Sequence, residues 1–267
     1  MHDVDLPKLL GYATTEVIHA GNLLLAEWAR PKGPRRRKGK AAVDIEIEWQ
    51  LRDALLEALE CNFWGRETGY VLTGHPWCWV VDPNDGSRDF LNGRMGSAIS
   101  VGLLHEGVPV LGVVYAPITD EYGPDCIAWA EGLPHLLRNG HEVRNDLGEQ
   151  EIATGRVVMV SAATDLQPQV NAGLCAPGHF VAMPSIAYRL ALTAVGDAVC
   201  AVSLNPLSAH DVVAGHALLR ACGGVLLDQN GLAITYGTEA GMATVSQLCF
   251  GGAPQACSAL LQREWSY

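Results

Sequence analysis

In Trp77-Cys78-Trp79-Val80-Val81-Asp82-Pro83-Asn84-Asp85-Gly86-Ser87, an apolar, β-branched run meets two carboxylates with no linker between them. The run reads as a buried strand that delivers Asp82, and Pro83 is expected to stop it because proline cannot donate to the ladder. The chain then turns through Asn84 to Asp85 and Gly86, where the backbone can approach a ligand closely. Two hard oxygen donors on so tight a turn can share one divalent cation or bridge two, and the carbonyl of Asn84 can fill a further position. The N–H groups of Gly86 and Ser87 follow at a helix start, where an anion is welcome. The plain alternative is a surface turn, because each residue of Asp-Pro-Asn-Asp-Gly favours turns. The buried strand feeding the segment weighs against that.

Outward from this point the chain is layered. Upstream, Leu6, Leu10, Ala13, Val17, Ala20 and Leu24 recur at helical spacing over 4–29, and a second helix begins near Asp44 with Ile47, Leu51, Leu55 and Leu59. Downstream, strands are expected at 97–104, 108–116 and 125–130, the first two joined by His105-Glu106-Gly107. The Gly- and Asn-rich segment 131–155 reads as loop or junction. After it, strands near 156–161, 198–203 and 223–228 alternate with helices near 186–195, 211–221 and 253–263. The expectation is an α/β fold of the α+β layered-sandwich kind, in two parts, 1–155 and 156–267.

Composition narrows the function. Of 267 residues, 49% are hydrophobic and 18% charged, enough for a large core. No apolar run reaches the ~20 residues of a membrane helix. The opening decapeptide lacks the layout of a signal peptide. Eight cysteines stand singly with no Cys-x-x-Cys, so a reducing cytoplasm is expected. The net charge is −11, and seven of the eighteen basic residues fall between Arg30 and Lys40. The remainder would repel nucleic acid, and no nucleic-acid or membrane partner is expected. The basic stretch spaces Gly33 and Gly39 one residue too far apart for a phosphate loop, and reads better as a solvated loop beside an anionic-substrate site.

Two further acids stand in telling places. Asp211 opens an apolar helix, as a cap or as a ligand, and Glu67 follows a glycine in Trp64-Gly65-Arg66-Glu67, as surface charge or as a ligand. His210 and His216 are six apart and poorly placed to share a metal, so both are read as non-ligands.

Taken together these residues resemble the inositol monophosphatase superfamily of magnesium-dependent, lithium-sensitive phosphatases. The family's Trp-x-x-Asp-Pro-x-Asp-Gly-Ser-x-x-Phe signature is matched at Trp79, Asp82, Pro83, Asp85, Gly86, Ser87 and Phe90. Its second signature is matched at Asp211, Ala214, Gly215, Ala221, Gly223 and Gly224, with Gly112–Pro117 and Arg138-Asn139-Gly140 resembling conserved-pattern segments between them. The resemblance implies a sugar-phosphatase sandwich of alternating helix and sheet layers. It also implies hydrolysis of a small phosphate monoester by metal-activated water. It makes Glu67, Asp82, Asn84, Asp85 and Asp211 holders of two or three magnesium ions, with manganese as a substitute. Asp44 would reach an outer ion through water. Gly86, Ser87, Arg88, Ser185 and Arg189 would hold phosphate or substrate, the Ser87 hydroxyl orienting the attacking water. A homodimer is implied as well.

The pattern is broken at Arg66, which stands where the family has a ligand glutamate. Glu67 serves by a one-residue shift, or the site is weak or inactive and the protein a binding pseudo-phosphatase. His210 replaces the usual tryptophan, and the inositol-reading glutamate is absent near Ser203-Leu204. Arg189 stands where the family's adenosine-bisphosphate phosphatases carry a basic residue, and that resemblance favours a substrate with extra negative charge, 3′-phosphoadenosine 5′-phosphate or a sugar bisphosphate.

Overall fold

The computed structural model describes residues 4–37, 40–120, 122–162 and 167–265; Lys38 and Gly39 of the basic stretch lie outside them. Helix α1 (Leu6–Trp28) is capped by Asp5, whose carboxylate accepts from the N–H of Lys8. A two-stranded ribbon, β1 (Arg36–Arg37) and β2 (Lys40–Ala41), leads to α2 (Val43–Ala58). Then come β3 (Asn62–Gly65), β4 (Tyr70–Val71), β5 (Trp77–Asp85), α3 (Ser87–Leu91), β6 (Ala98–His105), β7 (Val108–Ala116), β8 (Asp125–Ala130), β9 (Leu136–Arg138) and β10 (His141–Val143). The remainder is β11 (Val157–Ser161), α4 (Pro168–Cys175), β12 (His179–Met183), α5 (Ile186–Ala194), β13 (Cys200–Ser203), α6 (Ala209–Ala221), β14 (Val225–Asp228), α7 (Glu239–Ala243), β15 (Cys249–Gly252) and α8 (Pro254–Leu261).

Eight strands form one sheet in the order β10-β9-β8-β7-β6-β5-β3-β4, and five form another in the order β12-β11-β13-β15-β14. Helices α1 and α2 pack on one face of the large sheet. Helices α5 and α6 fill the space between the two sheets, and α4 and α8 lie against the small one. The layers therefore alternate as the sequence led us to expect. Among the described residues, no helix is long and apolar enough to cross a membrane.

Strand β5 shows why this arrangement suits its sequence. Trp79 and Val81 enter the core under α1 and α2, whereas Cys78 and Val80 enter the core shared by α5, α6 and the small sheet. A strand covered on both faces needs a continuous apolar run, and Trp77–Val81 supplies one. The turn expected at 105–107 is also present: His105 pairs with Val108, and both Glu106 (φ 50°) and Gly107 (φ 78°) are left-handed, as a type I′ hairpin requires.

Two expectations are corrected. Pro83 does not end β5. Asp82 pairs with Ser100 and Asp85 with Ala98, so Pro83 and Asn84 together oppose Ile99 in a bulge, where the missing N–H of proline costs no ladder bond. The bulge has a consequence for the site. Residues three apart on a regular strand face opposite sides, and one extra residue returns Asp85 to the side of Asp82. The second correction is in 131–155, where β9 and β10 form a hairpin that extends the large sheet, turned by Asn139 (φ 51°) and Gly140 (φ 80°).

Helix α6 lies unusually close to the large sheet because Gly102 and Gly112 pair with each other beneath it. A Cβ on Gly112 would sit 2.4 Å from the carbonyl oxygen of Ala214, and one on Gly102 would sit 3.0 Å from the Ala214 nitrogen. Backbone meets backbone, so neither side can yield by a rotamer change. Gly112→Ala is therefore expected to lower stability by about 2–3 kcal/mol. Thermal unfolding measures this; an unchanged Tm would show that α6 is free to lift.

Candidate active site

Three aspartates from distant parts of the chain meet beside a cavity of about 690 Å³, and in each one oxygen accepts from a backbone N–H. Asp82, at the bulge of β5, accepts the Asn84 N–H on Oδ1 (2.9 Å). Asp85 accepts the Ser185 hydroxyl (2.6 Å) and the Ala187 N–H (2.8 Å), both on Oδ2, from the first turn of α5. Asp211, third residue of α6, reaches back to the Ser208 N–H with Oδ2 (2.7 Å), as the acid of a capping box does. It is thus both cap and site residue, because its Oδ1 faces Asp82 across the site.

One ligand atom each from Asp82, Asp211 and His210 lies within 4.8 Å of the other two, a geometry able to hold a metal ion. His210, read from sequence as a non-ligand, therefore joins the cluster. Its Nδ1 is buried with no hydrogen bond among the described residues, and burial lowers its pKa. Asn84 donates its side-chain amide to Asp44 (2.9 Å), while its Oδ1 is buried with no partner among the described residues. Asp44 is almost fully buried, and burial, opposed by that Asn84 donor, pushes its pKa up to about 7. Asp85 and Asp211 are also raised, by burial first and then by the neighbouring Asp82 charge. Buried carboxylates gathered in this way are costly unless a cation joins them. The hard oxygens, the orphaned amide oxygen and this unbalanced charge fit a divalent ion.

The two residues of the broken motif part company. The Arg66 N–H bonds the Val81 carbonyl and so prolongs β3 beside β5, which directs the guanidinium to Asp82. Its Nη1 donates to Asp82 (2.6 Å) and to Asp211 (3.2 Å). Glu67, next along, takes the Lys40 ammonium at 2.8 and 2.9 Å, with its Oε1 3.8 Å from Arg66 Nε. Glu67 is thus outside the Asp82, His210 and Asp211 group, and it is Arg66 that faces the aspartates. Glu48, not singled out in the sequence, is wholly buried and accepts the N–H groups of Glu67 and Thr68, which fixes this loop. Its signal was the four-residue spacing from Asp44 on the buried face of α2.

Of the remaining expected site residues, Arg88 and Arg189 line the cavity. Gly86 (φ 86°) starts α3 with Ser87, and Arg88 lines the wall beside Arg94. Ser185 is buried, its hydroxyl occupied by Asp85. Arg189 reaches the wall but is buried, with donors on the carbonyls of Ser185 and Val202, and burial lowers its pKa to about 10. Arg36 of the basic stretch donates to the Leu91 carbonyl and Asn92, which sets part of that stretch beside the cavity.

A model of the inositol monophosphatase family matches residues 6–258. The chain is 30% identical over 261 residues to the probable inositol 1-monophosphatase ImpA of Mycobacterium tuberculosis, spanning 91% of this chain and 92% of that protein. It is 29% identical over 161 residues to the 3'(2'),5'-bisphosphate nucleotidase CysQ of Salmonella typhimurium, spanning 59% and 61%. In fold it is similar to the extragenic suppressor protein suhB of Bartonella henselae, with a TM-score of 0.77 over 96% of this chain and 99% of the other at 20% identity.

Proposed function

The chain belongs to the inositol monophosphatase family of phosphatases, and from that premise we propose that it hydrolyses a small phosphate monoester with magnesium. The observation that carries this reading is the convergence of Asp82, Asp85 and Asp211, each anchored by one oxygen, beside a cavity with arginines on its wall. On this reading, Asp82, Asp85, Asp211 and Asn84 hold two or three ions, with Asp44 and Glu67 as outlying acids. The chemistry supplied by bound magnesium is acidification of water and neutralisation of charge on the phosphoryl oxygens. Gly86 and Ser87 offer N–H groups to the phosphate, and the Ser87 hydroxyl orients the attacking water. Residues 1–155 and 156–267 act as two parts with the site between them. Lithium sensitivity, a homodimer and a cytoplasmic setting complete the proposal, the last supported by eight unbridged cysteines.

Substrates with a second anionic group, 3′-phosphoadenosine 5′-phosphate or a sugar bisphosphate, are the alternative within the class, supported by Arg88, Arg94 and Arg189 on the cavity wall. A weakly active or inactive binding protein is favoured by one observation, the Arg66 guanidinium already seated on Asp82 and Asp211. Phosphate release from inositol phosphates, sugar bisphosphates and 3′-phosphoadenosine 5′-phosphate, assayed with magnesium and with or without lithium, separates the three. We expect magnesium-dependent release from at least one ester, suppressed by lithium. Tight calorimetric binding of an ester without release would select the binding protein, and neither binding nor release would remove the proposal.

A further inference from the structure

We propose that Arg66 is the resident cation of the carboxylate cluster, satisfying Asp82 and Asp211 in the metal-free protein and competing with a divalent ion for the same two oxygens. The proposal rests on the reading of that cluster as a metal site. A single nitrogen, Nη1, bridges Asp82 Oδ2 on β5 and Asp211 Oδ1 on α6 at 2.6 and 3.2 Å. These two residues also belong to the group able to hold a metal, so the guanidinium nitrogen stands where an ion would contact them. A divalent ion binds carboxylate oxygens at about 2.0–2.6 Å. An ion bridging the same two oxygens would crowd and repel the guanidinium, whose Nη1 already donates to both.

The other oxygen of each aspartate is held by a backbone N–H, of Asn84 and of Ser208, so neither carboxylate can simply turn to offer a fresh face. Arginine does not deprotonate in a protein, so its positive charge stays at the cluster throughout the ordinary pH range. The relief available is displacement. The Arg66 side chain is 30% exposed and lines the cavity, with Glu67 Oε1 3.8 Å from its Nε as an alternative partner. Leaving the aspartates gives up two charge-assisted hydrogen bonds, partly offset by water and Glu67, and the net loss weakens ion binding by about 10- to 100-fold. In exchange, the metal-free protein is spared two buried carboxylates without a counterion.

Manganese binding by titration calorimetry and thermal unfolding, each compared in the wild type, Arg66→Gln and Arg66→Lys, tests this without reference to activity. Arg66→Gln keeps a hydrogen-bond donor and most of the volume but removes the charge. Its metal-free Tm should fall below that of the wild type, it should bind manganese about 10- to 100-fold more tightly, and manganese should restore its Tm. Arg66→Lys should lie between, because its ammonium is a point charge without the planar fork. Equal manganese affinity in all three proteins would overturn the proposal and leave the metal site standing, with Arg66 a structural tie between β3 and α6. No manganese binding by any of them would overturn both. If Arg66→Gln does not fold without metal, Arg66→Lys decides the matter, and an affinity equal to that of the wild type counts against competition.

Discussion

Asp85→Asn leaves the protein folded and cuts phosphate release by at least ~10³-fold. The two halves of this result have separate causes. Asp85 uses Oδ2 to accept the Ser185 hydroxyl and the Ala187 N–H. An asparagine oxygen still accepts both bonds, though more weakly without the charge, so the tie between the β5 bulge and the first turn of α5 survives. What is lost is the second oxygen and the negative charge. Among the described residues no donor reaches that second oxygen, so the substitution costs the fold little. An amide N–H₂ in its place cannot ligate a hard cation and repels one. The metal-free Tm should not fall, because a buried like charge beside Asp82 and Asp211 has been removed. Thermal unfolding and a phosphate-release assay on the same preparation check both halves. Unchanged turnover would sink the assignment of Asp85, and with it the proposed phosphatase mechanism.

The legible and illegible parts of this structure divide along a physical line. Trp77–Val81, Val108–Ala116 and Asp125–Ala130 were readable as strands because burial on both faces demands apolar, β-branched runs, and such runs are visible in any window. Leu6–Trp28 was readable because its apolar stripe has the helical period. The bulge at Pro83 was not, since it depends on the register of β6, and a proline that breaks a ladder looks the same whether the strand stops or bulges. Strand β15, Cys249-Phe250-Gly251-Gly252, shows neither alternation nor β propensity. Gly252 is required by a neighbour far along the chain: a Cβ there would lie 2.3 Å from the Val199 carbonyl oxygen.

The site divides in the same way. Asp82, Asp85 and Asp211 were recognisable from their motifs, but which of Arg66 and Glu67 would face them was not. That choice follows from the parallel pairing of β3 with β5, a contact across a loop of no clear pattern. Glu48 was passed over, despite its spacing from Asp44, and His210 was read as a non-ligand. Their partners are backbone groups and side chains that come close only after the layers assemble.

Asp125→Ala should cost about 3–5 kcal/mol, the range for breaking a buried ion pair by removing one partner. Asp125 has no exposed surface and accepts the Arg138 guanidinium twice, from Nε at 2.9 Å and Nη2 at 2.7 Å. It also accepts the Tyr188 hydroxyl at 2.7 Å. The third arm of Arg138 reaches Asp197, just past α5, at 2.9 Å. Alanine leaves the buried Tyr188 hydroxyl without its acceptor and the Arg138 guanidinium with Asp197 as its remaining acid. For a chain of this length the loss corresponds to a Tm lower by roughly 10 °C or more. Asp125→Asn should lose less, because an amide oxygen still accepts although the charge has gone. The network joins β8, β9 and α5, and the first turn of α5 is what holds Asp85. Asp125→Ala should therefore also lower turnover at temperatures where it is still folded, through a loosened Asp85, whereas Gly112→Ala loosens Asp211 instead. A Tm within 2 °C of the wild type would mean that α5 is held by its apolar packing alone, and that the buried ion pair contributes nothing to the placement of Asp85.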